Sequence, residues 1–188
     1  MLNDLLAHDG VTEEVDIAGT VGFMALHGGI EAGTADLARR AAGASNSSLY
    51  VVEVPDDLWW HVPSTEFDPA ASSGLDRFLT HVDRVISLHG FGRPGVERTV
   101  LLGGSNRPMA TRVATVMRRH SHWQVVDDLA SIPRTLRGLH PRNPVNLPAQ
   151  AGVQAEMTAD LREGIQADLL MQALLDAAVQ ESRLRDTG

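Results

Sequence analysis

Along the chain, short apolar runs of strand length alternate with stretches that carry a helical pattern. Val21–Leu26 (VGFMAL), Leu49–Val54 (LYVVEV), Arg84–Leu88 (RVISL) and Arg98–Leu102 (RTVLL) read as buried strands. Val11–Val15 reads as a further extended segment and Gly152–Met157 (GVQAEM) as the last strand. Between them, Thr34 is placed to cap a helix running to about Ala42, with Asp36 in its first turn. Gly74–Val82 reads as a short helix, and Pro108 suits the first turn of another that reaches His120. Thr158 is expected to cap a C-terminal helix over about 158–184. Segment 59–69, rich in Pro, Ser and Thr, reads as a loop or irregular strand, and 132–150, rich in proline, as a long loop. Alternation of this kind predicts an α/β fold, a mixed β-sheet flanked by helices, within a single domain over 1–188.

Composition narrows the chemistry more than the fold. The 188 residues include no cysteine, which removes disulfide scaffolds, thiolate metal sites and cysteine nucleophiles. Lysine is also absent, so all 16 basic residues are arginine, and Schiff-base or P-loop lysine chemistry is excluded. A formal charge of −8 argues against a general nucleic-acid partner, and no apolar run approaches the roughly 18 residues that span a bilayer. The start, Met1 to Gly10, carries no Lys or Arg, so no signal peptide is expected and the protein is expected to be cytoplasmic or released by lysis. Any metal site must draw on the 8 His and 24 acidic residues.

Two of the apolar strands end in His-Gly, at His27-Gly28 and His89-Gly90. Ligands in open α/β sheets bind beyond the carboxyl ends of the strands, so both imidazoles are placed where a metal would be useful. In His27-Gly28-Gly29-Ile30-Glu31 the glycines allow a tight turn that aims a His and a Glu at one centre. The plain alternative is a Gly-rich connection with a carboxylate at a helix N-terminus. Period 2 through the last strand puts Gly152, Gln154 and Glu156 on one face and Val153 and Ala155 on the other. Glu156 is then either a capping charge or a base. Two His and one Glu form a ligand set for a catalytic divalent cation, and an unligated Glu can shuttle the proton of an attacking water.

The segments LHGGIEAGT (26–34), HVPSTEFDP (61–69), SLHG (87–90), LLGGSN (101–106) and AGVQAEM (151–157) resemble, in order, the motifs of the poly-γ-glutamate hydrolase family. The resemblance covers about 15–165, a motif-bearing hydrolase core. It implies a zinc-carboxypeptidase-like fold, Zn2+ held by His27, Glu31 and His89, and Glu156 as general acid/base. It also implies a γ-glutamyl polymer or peptide as substrate, cleaved at its γ-glutamyl amide bonds. The chain departs from the family pattern in the shorter His27–Glu31 spacing, in Ala155 where Leu is common, and in lacking an Arg directly after Asn146.

A substrate carboxylate is best gripped by the planar fork of an arginine. Arg93, just past His89, is the first candidate, with Arg107 and Arg142 behind it. Asn143 and Asn146 are candidates to orient a substrate carbonyl, or else form Asx turns, and His61 is a further candidate donor. Two alternatives stay open beside the γ-glutamyl hydrolase. One is a zinc peptidase or amidohydrolase acting on another amide. The other is a non-catalytic binding or structural protein that keeps the fold.

Overall fold

Every apolar run singled out above lies in a strand of one sheet. The structure, a computed structural model, describes residues 1–55, 57–120 and 122–184. Its strands are β1 (Thr12–Asp16), β2 (Gly19–Gly28), β3 (Ser47–Glu53), β4 (Arg84–Gly90), β5 (Thr99–Leu102), β6 (Gln124–Val126) and β7 (Gly152–Met157). They form a seven-stranded sheet in the order β1-β3-β2-β4-β7-β5-β6. The four central strands β3, β2, β4 and β7 run parallel, while β1 and β5 pair antiparallel to their inner neighbours and β6 follows β5 in parallel. The expected mixed sheet flanked by helices is therefore what forms.

Strand parity divides the core. Val21, Phe23 and Ala25 of β2, Ile86 and Leu88 of β4, and Val153, Ala155 and Met157 of β7 face the helices α2 (Thr34–Ser45), α4 (Arg107–His120) and α5 (Gly164–Arg183). The other face, with Met24, Leu26, Tyr50, Val52 and Val85, is covered by α1 (Leu2–Leu6), α3 (Ser73–His81) and the irregular segment bearing Val62 and Phe67. Central strands that are apolar on both faces are what a parallel sheet under two layers requires. Each fully buried Phe, Leu or Ile contributes about 1.5–3 kcal/mol.

The helix ends show how local chemistry sets the boundaries. The Ser72 hydroxyl accepts from the Leu75 N–H at 2.9 Å and starts α3. Gly33, with φ of 84°, is the N-cap of α2, so Thr34 is the first helical residue rather than the cap. The last helix differs most from expectation. Thr158 caps a short 3-10 turn (Ala159–Leu161), and α5 begins only at Gly164. The Thr158 hydroxyl is engaged instead by the N–H of Thr99 at 3.1 Å, which ties β5 to β7. Near its far end α5 is clamped by Glu181, which is 1% exposed and accepts from Arg84 at 2.8 Å and from Arg112 at 2.6 and 2.8 Å. No helix among the described residues is long and apolar enough to cross a membrane.

Candidate metal centre

The carboxyl ends of β2, β4 and β7 meet at one rim of the sheet, and the side chains there follow from register. Residues 89 and 156 are Cα partners on adjacent parallel strands, so both side chains rise on the same side. On β2 the register against β3 shifts between Ala25 and Gly28, an irregularity of the β-bulge kind. Strict alternation would send Leu26 and His27 to opposite faces. After the shift both meet the same cluster: Leu26 packs with Val62 and Phe67, and the His27 ring sits edge-on to Phe67 with centroids 5.8 Å apart.

The turn after β2 then brings Glu31 back beneath His27. The Glu31 N–H donates to the His27 carbonyl at 2.8 Å, and Thr34 Oγ1 donates to the Glu31 carbonyl at 2.7 Å. Gly29, at φ 86°, is required here, because a Cβ at that position would lie 2.1 Å from the Val54 carbonyl oxygen. Glu31 Oε1 lies 3.0 Å from His27 Nδ1, and Oε2 lies 3.4 Å from His89 Nδ1 while accepting the Gly90 N–H at 3.0 Å.

The outer nitrogens of both rings are already engaged. His27 Nε2 is 2.9 Å from the Val62 carbonyl, which can only accept, so Nε2 carries a proton. His89 Nε2 is 3.0 Å from the Ser87 hydroxyl. For His27 this leaves Nδ1 turned toward a carboxylate that, ionised, also only accepts. A second ring proton resolves that conflict, and so does a cation between them. The ligand atoms of His27, Glu31 and His89 all lie within 4.8 Å of one another. A tetrahedral ion with bonds of about 2.0–2.1 Å sets its donors roughly 3.3 Å apart, and the two contacts to Glu31 bracket that value. The donor set, its burial and its engaged outer nitrogens fit a divalent metal.

Electrostatics separate the two carboxylates. Burial pushes Glu31 up, but the His89 charge and hydrogen bonds from both imidazoles more than offset this and hold it well below the usual carboxylate range. Glu156, also buried, is pushed up to about 7, by burial first and then by the charge of Glu31, against the opposing pull of His89, Gln154 and Arg162. Burial lowers the His89 ring, yet the Glu31 carboxylate leaves it raised overall. His61 is lowered by burial and by neighbouring His27, 4.5 Å away ring to ring.

These groups open on a cleft of about 420 Å³. His27, Glu31, His61, His89, Asn143 and Glu156 all line it. Asn143 is buried there: its Nδ2 donates to Gln154 Oε1 at 2.8 Å, and Gln154 Nε2 donates to Glu156 Oε1 at 2.8 Å. Asn146 lies outside the lining and serves the framework. Its Oδ1 accepts from the Ser105 N–H and hydroxyl, and its Nδ2 donates to the carbonyls of Gly138 and His140. Arg93 is exposed on the turn beyond β4, outside the lining, and Arg107 and Arg142 are outside it as well.

Three participants carry no local signal in the sequence. His140 and Arg134 line the cleft from the segment after β6. Arg162 packs between the turn after β2 and the end of β4, donating to the Ala32 carbonyl beside Glu31, with its guanidinium against Gly90. Gln154 was within reach of sequence reasoning, since strand parity already put it on the face of Glu156.

Comparison with known proteins decides the family. The poly-γ-glutamate hydrolase family model matches residues 7–178. The chain belongs to that family. Among solved structures, a bacteriophage poly-γ-glutamate hydrolase superimposes with a TM-score of 0.76 at 21% identity, covering 93% of this chain and 91% of the other. A zinc-free YNDL structure matches equally well, at 0.76 and 21%, covering 89% of each chain. A candidate carboxypeptidase from Burkholderia mallei follows at a TM-score of 0.59 and 12% identity, over 97% of this chain and 66% of the other, in line with the carboxypeptidase-like architecture. The SPβ prophage-derived UPF0714 protein YoqZ of Bacillus subtilis is 32% identical over 114 residues, 60% of this chain. The family member described here spans 39% of that relative's length.

Proposed function

We propose that this protein is a zinc-dependent hydrolase of γ-glutamyl amide bonds that depolymerises poly-γ-glutamate. The observation that carries the reading is the meeting of His27, Glu31 and His89 beside Glu156 in one cleft, in a chain of the poly-γ-glutamate hydrolase family.

Zinc, when bound by these three side chains, supplies Lewis-acid polarisation of the amide carbonyl and makes water more acidic. The remaining work falls to the chain itself. Glu156, ionised, takes a proton from the attacking water and hands it to the leaving nitrogen as the C–N bond breaks. One product is a carboxylic acid and the other an amine. Burial raises the proton affinity of Glu156 above that of a free carboxylate, which suits a group that must both take and return a proton. Gln154 occupies Oε1 of Glu156, which leaves Oε2 for the water, and Asn143 fixes the Gln154 amide in the orientation that donates. His61, whose proton affinity is lowered first by burial and then by His27, can hydrogen-bond the substrate at the cleft wall.

The direct test is to incubate the zinc-loaded protein with poly-γ-glutamate and follow polymer size. Shortening is expected, with turnover in Glu156→Gln lower by about 10²–10⁴-fold at unchanged zinc content. An intact polymer overturns the substrate assignment; equal turnover in the variant overturns the assigned base.

A further inference from the structure

A γ-linked glutamyl chain carries a free α-carboxylate on every residue, so a carboxylate accompanies each scissile amide into the cleft. Glu31 and Glu156 already place negative charge there. With no lysine in the chain, a permanent cation to receive the substrate can only be arginine. Half of the 16 arginines are committed elsewhere. Arg39, Arg40, Arg84, Arg112 and Arg118 are paired with carboxylates. Arg107, Arg137 and Arg162 donate to backbone carbonyls. Of the rest, Arg134 alone among the described residues lines the cleft; it is exposed, and its side chain makes no hydrogen bond or ion pair with another described residue.

The backbone that presents Arg134 is anchored on both sides. Pro133 leads into the 3-10 turn Arg134–Leu136. Directly after it, the Arg137 carbonyl accepts the Gly104 N–H at 2.8 Å, and Arg137 Nε donates back to the Ile132 carbonyl at 2.8 Å. The approach is close enough that a Cβ at Gly103 would lie 2.3 Å from the Arg137 oxygen. Asn146 holds the Gly138 carbonyl at 2.7 Å. The Gly103-Gly104 and Asn146 positions thus serve to fix the backbone of the cleft wall that carries Arg134. An arginine on an anchored backbone has less freedom to lose on binding than one on a loose loop.

We propose that Arg134 is the specificity-determining residue that binds the free α-carboxylate next to the scissile γ-amide. The proposal rests on the γ-glutamyl reading above. The test compares wild type with Arg134→Gln on a γ-glutamyl oligomer and on the same oligomer with its α-carboxylates converted to methyl esters. For the free acid, KM is expected to rise by about 10- to 100-fold in the variant with kcat changed little, as for loss of a charge-assisted hydrogen bond. The ester should be a poor substrate for wild type and insensitive to the substitution, and Arg134→Lys should recover part of the lost affinity. Zinc content should be equal in all variants. An unchanged KM in Arg134→Gln, with wild type active, overturns the role of Arg134 alone. A wild type idle on both oligomers overturns the γ-glutamyl reading, and this assignment with it.

Discussion

The carbonyl oxygen of Val62 fixes the tautomer of His27: it accepts from Nε2 at 2.9 Å and leaves Nδ1 as the nitrogen that faces Glu31. The segment bearing Val62 is held by Phe67, which is fully buried against the same cluster as Leu26. That gives the 61–69 motif a physical purpose: it orients the His27 ring from behind.

Replacing either imidazole should therefore remove the metal rather than the fold. His27→Gln and His89→Gln are each expected to lower bound zinc from about one per chain to a small fraction of that. In both, the rise in Tm on adding zinc should vanish. Metal analysis and thermal melts with and without zinc check this, and full zinc occupancy in either variant would rule out that residue as a ligand.

Glu156 makes stability depend on pH in the metal-free protein. Its proton affinity is raised on folding, from 4.5 to about 7, so across that window the native state binds more protons than the unfolded chain. Stability from this group is complete below about 4.5 and is lost as pH rises through about 7. The loss is on the order of 3 kcal/mol. Urea titrations of chelator-treated protein at a series of pH values should show this decline, and the difference between wild type and Glu156→Gln isolates it from Glu31 and His89. Parallel pH profiles for the two proteins would contradict the assigned shift.

Gly29→Ala joins two penalties, a left-handed backbone angle and a Cβ placed against the Val54 carbonyl. A destabilisation of about 2–4 kcal/mol is expected, with weaker zinc binding because the turn that carries Glu31 must move. Denaturation and zinc titration measure both effects. A neutral substitution would mean that the turn has slack the geometry does not suggest.

Glu181→Ala tests the far side of the molecule. It leaves Arg84, nearly buried, without its carboxylate, and about 3–5 kcal/mol of stability should be lost. Poly-γ-glutamate turnover at low temperature should be nearly unchanged, since Glu181 anchors α5 and lies outside the cleft lining. A stability within error of wild type would show that the pair contributes nothing.

Much of this architecture was legible because its signals are local. The strands of the central sheet are apolar runs, and His27 and His89 stand out as polar residues that close such runs. Short β6 and five-residue α1 escaped notice because neither spans enough residues to display a period. The start of α5 was misplaced because Thr158, a good cap by type, spends its hydroxyl on β5. Arg93 drew attention through nearness in sequence to His89, whereas Arg134 and Arg162 reach the site only through tertiary folding. The bulge at Leu26–His27 is a backbone event with no residue signature, yet it decides which face the first ligand takes.

The pairing of positions 89 and 156 across neighbouring strands has a mechanical corollary. Interstrand spacing of roughly 4.8 Å is set by backbone hydrogen bonds, so these two side chains behave as one rigid jaw. Glu31 stands apart from that jaw, on the turn after β2, tied to it through the Gly90 N–H. In the proposed centre, substitutions in that turn would alter how firmly a metal is gripped while the separation between Glu156 and the second imidazole stays set by the sheet, so grip and chemistry would be free to drift apart over evolutionary time.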